Sequence, residues 1–226
     1  MNHICKLYDR IYKNYRIINS ILTLSLDKYW RKKTVEHIMT IKPSAVRILD
    51  ICCGTGDLTK LIRKSFPQAD IYGIDANVNM LSLAKQELPD VKFVDGYVSD
   101  MPFDNDFFDI VVISFASRNL FFACDFKKSV NEVKRVIKPG GFFVSVETAL
   151  YDNYFLNLAM KIYISFSIGM LNFLMPSSAN SYNFLKSSIL KFDILKFKSE
   201  IEKHFVFMRC RRLFPGSVAI CWALKS

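Results

Sequence analysis

The stretch "VRILDICCGTGDLTKLIRKSF", residues 46–66, decides the architecture. Its first part, "VRILDIC" (46–52), is a nearly unbroken apolar run of strand length, as expected of a strand buried on both faces. Its last part, "DLTKLIRKSF" (57–66), places apolar residues at helical spacing. Small residues at 52–56 join the two. A strand that turns straight into a helix opens a βαβ unit, and "DIYGID" (70–75) supplies the second strand.

The alternation continues outward. A helix is expected over "NMLSLAKQEL" (79–88), then strands over "VKFV" (91–94) and "FDIVVISF" (108–115). Next come a helix over "FKKSVNEVKRVI" (126–137), a stop and turn at "KPGG" (138–141), and a fifth strand over "GFFVSVE" (141–147). "FVFMRCRRL" and "GSVAICWAL" are separated only by "FPG", which fits an antiparallel edge hairpin. The expected fold is α/β: a doubly wound, mostly parallel, seven-stranded Rossmann-like sheet with that hairpin at one edge.

One domain is expected over 1–226, of a size that supports a single core. Residues 1–44 form a helical N-terminal extension, with Leu7, Ile11, Ile18, Leu22 and Leu26 near helical spacing over 5–38. Residues 45–150 form the ligand-binding core, 151–190 a helical cover, and 191–226 a C-terminal helix with the edge strands. In the cover, "YFLNLAMKIYISFSIGMLNFLM" is long and carries a single charge. Asn157, Lys161, Ser165, Gly169 and Asn172 nevertheless fall on one helical stripe. The stripe predicts an amphipathic cover helix, with duty as a lid or at a membrane surface.

In a doubly wound sheet ligands sit beyond the carboxyl ends of the strands. Here those ends are 52–57, 75–76, 96–98, 114–119 and 147–149. The turn "LDICCGTGDL" (49–58) has Gly54 and Gly56, but Thr59 stands where a dinucleotide turn has its third glycine. Asp57 at the helix start would repel a pyrophosphate. A ligand with a cationic amino-acid end fits better, and S-adenosylmethionine is one. Asp50 can fix the turn or meet its ammonium, and Asp75, 19 residues after Gly56, can hold ribose hydroxyls. Arg118 and Asn119, just past the fourth strand, face the same crevice.

Composition narrows the class. Half of the residues are hydrophobic, with 20 Phe and 10 Tyr, which excludes a disordered chain. The net charge of +10 is spread as +7 over residues 1–47, −3 over 48–150 and +6 over 151–226. Basic flanks suit an anionic surface, and no nucleic-acid-binding motif is present, so nucleic acid is not expected as a partner. The six cysteines (5, 52, 53, 124, 210 and 221) include no C-x-x-C pair and no metal-ligand spacing. They predict reduced thiols, no metal and a cytoplasmic protein. The polar N-terminus, "MNHICKLYDRIYKNY", predicts no secretory signal.

Over nearly its whole length the chain resembles the ubiquinone/menaquinone biosynthesis C-methyltransferases. The resemblance is carried by "YRIINSILTLSLDKYWR", "LDICCGTGDL", "GIDANVNML", "MPFDNDFFD", "ISFASRNL", "RVIKPGG", "SYNFLKSS" and "GSVAI". It implies methyl transfer from S-adenosylmethionine to a ring carbon of a polyprenylated quinol, demethylmenaquinol foremost. The donor would be held by Asp50, Gly54, Thr55, Gly56, Asp75, Ala76, Met80, Tyr97, Val98 and Ser114. Arg118 would stabilise the quinolate, Asn119 would orient the ring, and Tyr182 would stand on the opposite wall.

A prenyl tail implies a peripheral position at the inner face of the membrane, and a homodimer is left open. The chain departs from the family's pattern at Arg16 (for aspartate), Ser25 (for glycine), Cys52 (for glycine or alanine), Tyr97–Val98 (for Asn–Ala or Asp–Ala), Ala116–Ser117 (for Gly–Leu) and Asp193 (for proline). Three alternatives stay open: another phenolic or lipid acceptor, a catalytically silent cofactor-binding paralogue, and a dehydrogenase.

Overall fold

A computed structural model describes residues 3–122, 125–151 and 153–226. Its centre is one seven-stranded sheet made of β1 (Arg47–Ile51), β2 (Asp70–Asp75), β3 (Lys92–Asp95), β4 (Phe108–Ser114), β5 (Ile137–Thr148), β6 (Phe207–Leu213) and β7 (Val218–Leu224). The spatial order is β3-β2-β1-β4-β5-β7-β6. The first five strands pair in parallel, and β7 runs antiparallel between β5 and β6. The expected doubly wound sheet and its edge hairpin are therefore present.

The central strands are buried because both faces are covered. Covering helices include α4 (Asp57–Ser65), α5 (Val78–Glu87), α7 (Phe126–Val136) and α10 (Ile194–Glu202). Every residue of β4 from Phe108 to Ile113 is buried, so the apolar run "FDIVVI" is explained by its central place. β5 starts earlier than expected, at Ile137, because that residue pairs with Phe108 across a register shift.

The N-terminal extension is broken where one helix was expected. α1 (His3–Asp9), a single-turn helix at Tyr12–Asn14, α2 (Tyr15–Thr23) and α3 (Leu26–Ile41) follow one another. The sharpest break is at Leu24 and Ser25, both left-handed at φ 51° and 60°. Neither residue type signals that conformation in sequence.

The cover consists of α8 (Tyr154–Leu174) and α9 (Ala179–Lys191), and α6 (Ser117–Phe121) lies under it beyond β4. The inward face of α8 buries Ile164, Ile168 and Leu171 in a satellite core with Ile11, Ile18, Tyr182, Leu185 and Ile189. The outward face differs from the expected amphipathic helix. Phe155, Ile162, Phe166 and Phe173 are all more than half exposed, so the predicted polar stripe flanks an apolar outer face instead of forming a polar one. α8 is long and apolar enough to cross a membrane by length and composition.

The expectation of six reduced thiols is corrected. Cys210 and Cys221 stand directly opposite each other in the β6–β7 ladder and form a disulfide. The hairpin register makes the pair, which spacing alone did not reveal. Cys5, Cys52 and Cys53 are free thiols, and Cys124 lies outside the described residues.

Candidate active site

The turn after β1 is shaped by left-handed backbone at Cys52, Gly54 and Gly56 (φ 52°, 55° and 78°). Glycine is needed most at 56, where a Cβ would lie 3.2 Å from that of Ala84. Gly54 donates its N–H to Asp75 at 2.8 Å, and Asn77 donates to the same carboxylate at 2.7 Å. Asp75 is thereby fixed at the end of β2, facing the turn.

A cavity of about 140 Å³ opens here. Of the predicted donor-binding residues, Asp50, Gly54, Thr55, Asp75, Ala76, Met80, Tyr97, Val98 and Ser114 line it. Gly56 does not; it sits behind them, packed on α5. Asn119 lines the same cavity, as do Tyr8, Tyr15 and Arg31 from the N-terminal helices, which the sequence reading did not assign. Arg16, two helices away in sequence from the turn, closes over it. It donates to Asp57 at 2.8 Å and to the Thr55 carbonyl at 3.1 Å, and it pairs with Glu87.

The cavity's polar groups are incomplete. Seven buried side-chain N or O atoms lack a hydrogen-bond partner among the described residues, and four belong to residues lining this one cavity: Asp50 Oδ1, Ser114 Oγ, Asn119 Oδ1 and Arg31 Nε. Buried polar atoms are normally satisfied, so this concentration makes the cavity the candidate ligand site. Burial pushes the Asp50 carboxyl up to about 7, against the Thr59 hydroxyl that donates to it at 2.6 Å and the positive charge of Arg31. An arriving ammonium would reverse that penalty. Burial likewise raises the thiols of Cys52 and Cys53 well above the ordinary range, which leaves them poor nucleophiles.

A second cavity, larger at about 340 Å³, lies between α2, α3, α8, α9 and the β6–β7 turn. Its walls are mostly apolar, with Leu22, Met160, Ile164, Leu185 and Ile189 among them. Its polar residues include Asp27, Arg31 and Arg118. Leu24 and Leu156, also on its wall, are 69% and 53% exposed and mark its mouth. Phe115 and Arg31 line both cavities.

Arg118 therefore faces the apolar cavity, and its guanidinium is already engaged. It pairs with fully buried Glu147 at 2.7 Å and donates to Ser188 at 3.2 Å. Asn119 donates to the Tyr8 hydroxyl at 3.0 Å and keeps its amide oxygen free. Tyr182 lines neither cavity: it is fully buried between the cover helices, its hydroxyl donating to Met175 Sδ at 3.3 Å. Its place in α9 turns it toward α8, which makes it a packing residue.

Residues 1–225 match the model of the ubiE/COQ5 methyltransferase family. A demethylmenaquinone methyltransferase of Bacillus subtilis is 34% identical over 196 residues, covering 84% of this chain and 82% of the relative. One from Staphylococcus aureus (strain JH9) is 32% identical over 222 residues, covering 95% and 89%. Among solved structures, an S-adenosylmethionine-dependent methyltransferase of Methanococcus maripaludis, described as putative, shares the fold. Its TM-score is 0.58 at 16% identity, over 94% of this chain and 91% of the other.

Proposed function

The chain belongs to the ubiE/COQ5 methyltransferase family, and from that premise we propose that it methylates a ring carbon of a polyprenylated quinol, with demethylmenaquinol as the foremost acceptor. The observation that carries the reading is the pair of cavities. One is lined with polar atoms that lack partners, the other is apolar with arginines in its wall, and they meet at Phe115 and Arg31.

The first cavity fits S-adenosylmethionine, which supplies an activated methyl group when bound. Asp50 has a free carboxylate oxygen that would take the ammonium, Asp75 would meet the ribose, and Tyr97 and Val98 would flank the adenine. Met80 and the backbone of Gly54 and Thr55 form the floor. Ser114 and Asn119, whose oxygens are free, would stand at the reacting end. Tyr8 and Tyr15, with Arg16 clasped to Asp57, cover the cavity and exclude water.

The second cavity suits an acceptor with a polar ring and a hydrocarbon tail. A quinol that loses its hydroxyl proton to water carries extra electron density on the neighbouring ring carbon. That carbon bonds to the methyl as the methyl–sulfur electron pair returns to sulfur. The ring hydrogen then leaves as a proton to water, and aromaticity is restored. The protein's part is alignment of the two reactants and stabilisation of the anion. The tail would leave past Leu24 and Leu156 toward a membrane surface, beside the apolar outer face of α8.

The test is turnover with methyl-labelled donor and the reduced naphthoquinol or benzoquinol acceptors in detergent, read by mass spectrometry. Label in a ring methyl is expected, most of all on the naphthoquinol. No label on either, with the donor still bound, would contradict the reading.

A further inference from the structure

We propose that Arg31, in place of the Arg118 expected from sequence, is the residue that contacts the quinol oxygen and stabilises the quinolate. This role rests on the quinol reading above. Methyl transfer has to occur where the donor and acceptor cavities meet, and Arg31 lines both. Arg118 lines the acceptor cavity, but its Nε and Nη1 are taken by Ser188 and Glu147.

Arg31 is 5% exposed, and its Nε has no partner although it is buried. Its Nη1 is held by Asp27 one turn earlier on α3, and its Cζ lies 5.3 Å from the Phe115 ring centroid. A donor N–H is thus fixed in position and left open, as an acceptor oxygen requires.

Phe115 marks the same point by strain. Its φ is 55°, a conformation that a bulky residue rarely adopts, and such outliers persist where surrounding structure enforces them. The enforced turn brings the ring against Arg31 and Trp30 at the junction. A guanidinium beside a sulfonium site also favours an anion between the two cations. The quinolate oxygen would supply that anion once its proton has gone to water.

The charged and titratable groups around Arg31 are Asp27 on α3, Asp50 on β1, Tyr15 on α2, and Arg118 on α6 with Glu147 behind it. Asp50 acts through donor binding, so saturating donor removes its titration from kcat. Tyr15 is pushed by burial up to about 12, outside the working range.

The test compares the wild type with Arg31→Gln and Arg31→Lys, measuring kcat against pH at saturating donor and acceptor. A second readout, independent of turnover, is the ionisation of a bound prenylated nitronaphthol followed by its absorbance. An adjacent opposite charge moves a pKa by about one to three units. Arg31→Gln is therefore expected to lower kcat about 10- to 1,000-fold at pH 7 and to regain much of it near pH 10. The bound naphthol should titrate at correspondingly higher pH, and Arg31→Lys should restore part of both effects. Donor affinity and the melting temperature of the Lys variant report folding.

Equal loss of kcat at every pH in Arg31→Gln, with the naphthol titration unchanged, would overturn the role. So would an unaltered kcat. A wild type that methylates neither quinol would refute the acceptor assignment itself and remove this role with it.

Discussion

Glu147 is fully buried at the end of β5, and Arg118 is the cation beside it. Deleting one partner of a buried pair leaves the other charge without compensation, which costs about 3–5 kcal/mol. Arg118→Ala is expected to lose stability of that order in chemical denaturation, and Arg118→Met with Glu147→Gln to recover much of it. A loss below about 1 kcal/mol for the single variant would show the pair to be dispensable. Asp50 makes a second prediction at this scale. Its pKa of about 7 lies above that of an ordinary carboxyl because burial disfavours the charged form. The unfolded chain therefore releases this proton first as pH rises, and the free protein loses stability between the ordinary carboxyl range and about pH 7. If Asp50 holds the donor's ammonium as proposed, binding needs the carboxylate, and affinity should rise from pH 6 to pH 8 in a calorimetric titration. Asp50→Asn should bind more weakly with no such slope; a slope that survives the substitution would move the titration elsewhere.

The elements show where sequence patterns inform and where they stop. Strands and their covering helices were legible from apolar periodicity, and the "FPG" spacing disclosed the hairpin, because a sheet buried on both faces imposes continuous apolar runs. The N-terminal breaks were not legible, since Leu24 and Ser25 take left-handed backbone with no glycine or asparagine to signal it. Ser25 stands where the family resemblance placed a glycine. Ser25→Gly is expected to stabilise the fold by about 0.5–1 kcal/mol, the relief of left-handed strain less the added chain entropy. A drop in melting temperature would show that the serine side chain contributes more than its backbone costs. Asp193, where proline was expected, accepts from the N–H groups of Leu195 and Lys196 and caps α10 instead. Most of the lining of the first cavity was legible from strand ends. Arg31 was not, because "DKYWRKK" reads as a charged helix end. The signal lay in Asp27, four residues before Arg31 and on the same helix face, with Trp30 adjacent.

Across the whole molecule, exposed apolar side chains from three separate segments mark one side: Leu24 after α2, Tyr154, Phe155 and Leu156 at the start of α8, and Phe214 in the β6–β7 turn. Leu24 and Leu156 themselves line the apolar cavity, as does Pro215 next to Phe214. Lys28 and Lys32 are exposed on α3, and the final 24 residues contain no acid. Apolar insertion with basic residues beside it favours an anionic bilayer. Cosedimentation with vesicles rich in anionic lipid is expected, weakened by Phe155→Ser with Phe214→Ser and by salt. Equal binding to neutral vesicles, unchanged by those substitutions, would place the contact elsewhere. The most direct measurement is a crystal structure with S-adenosylhomocysteine and a prenylated naphthol bound together. The thioether sulfur should lie in the cavity of Asp50 and Asp75, the naphthol ring at Phe115 with its oxygen on Arg31, and the tail running out past Leu24 and Leu156. A naphthol bound away from that junction, or a tail leaving on another side, would contradict the two-cavity mechanism.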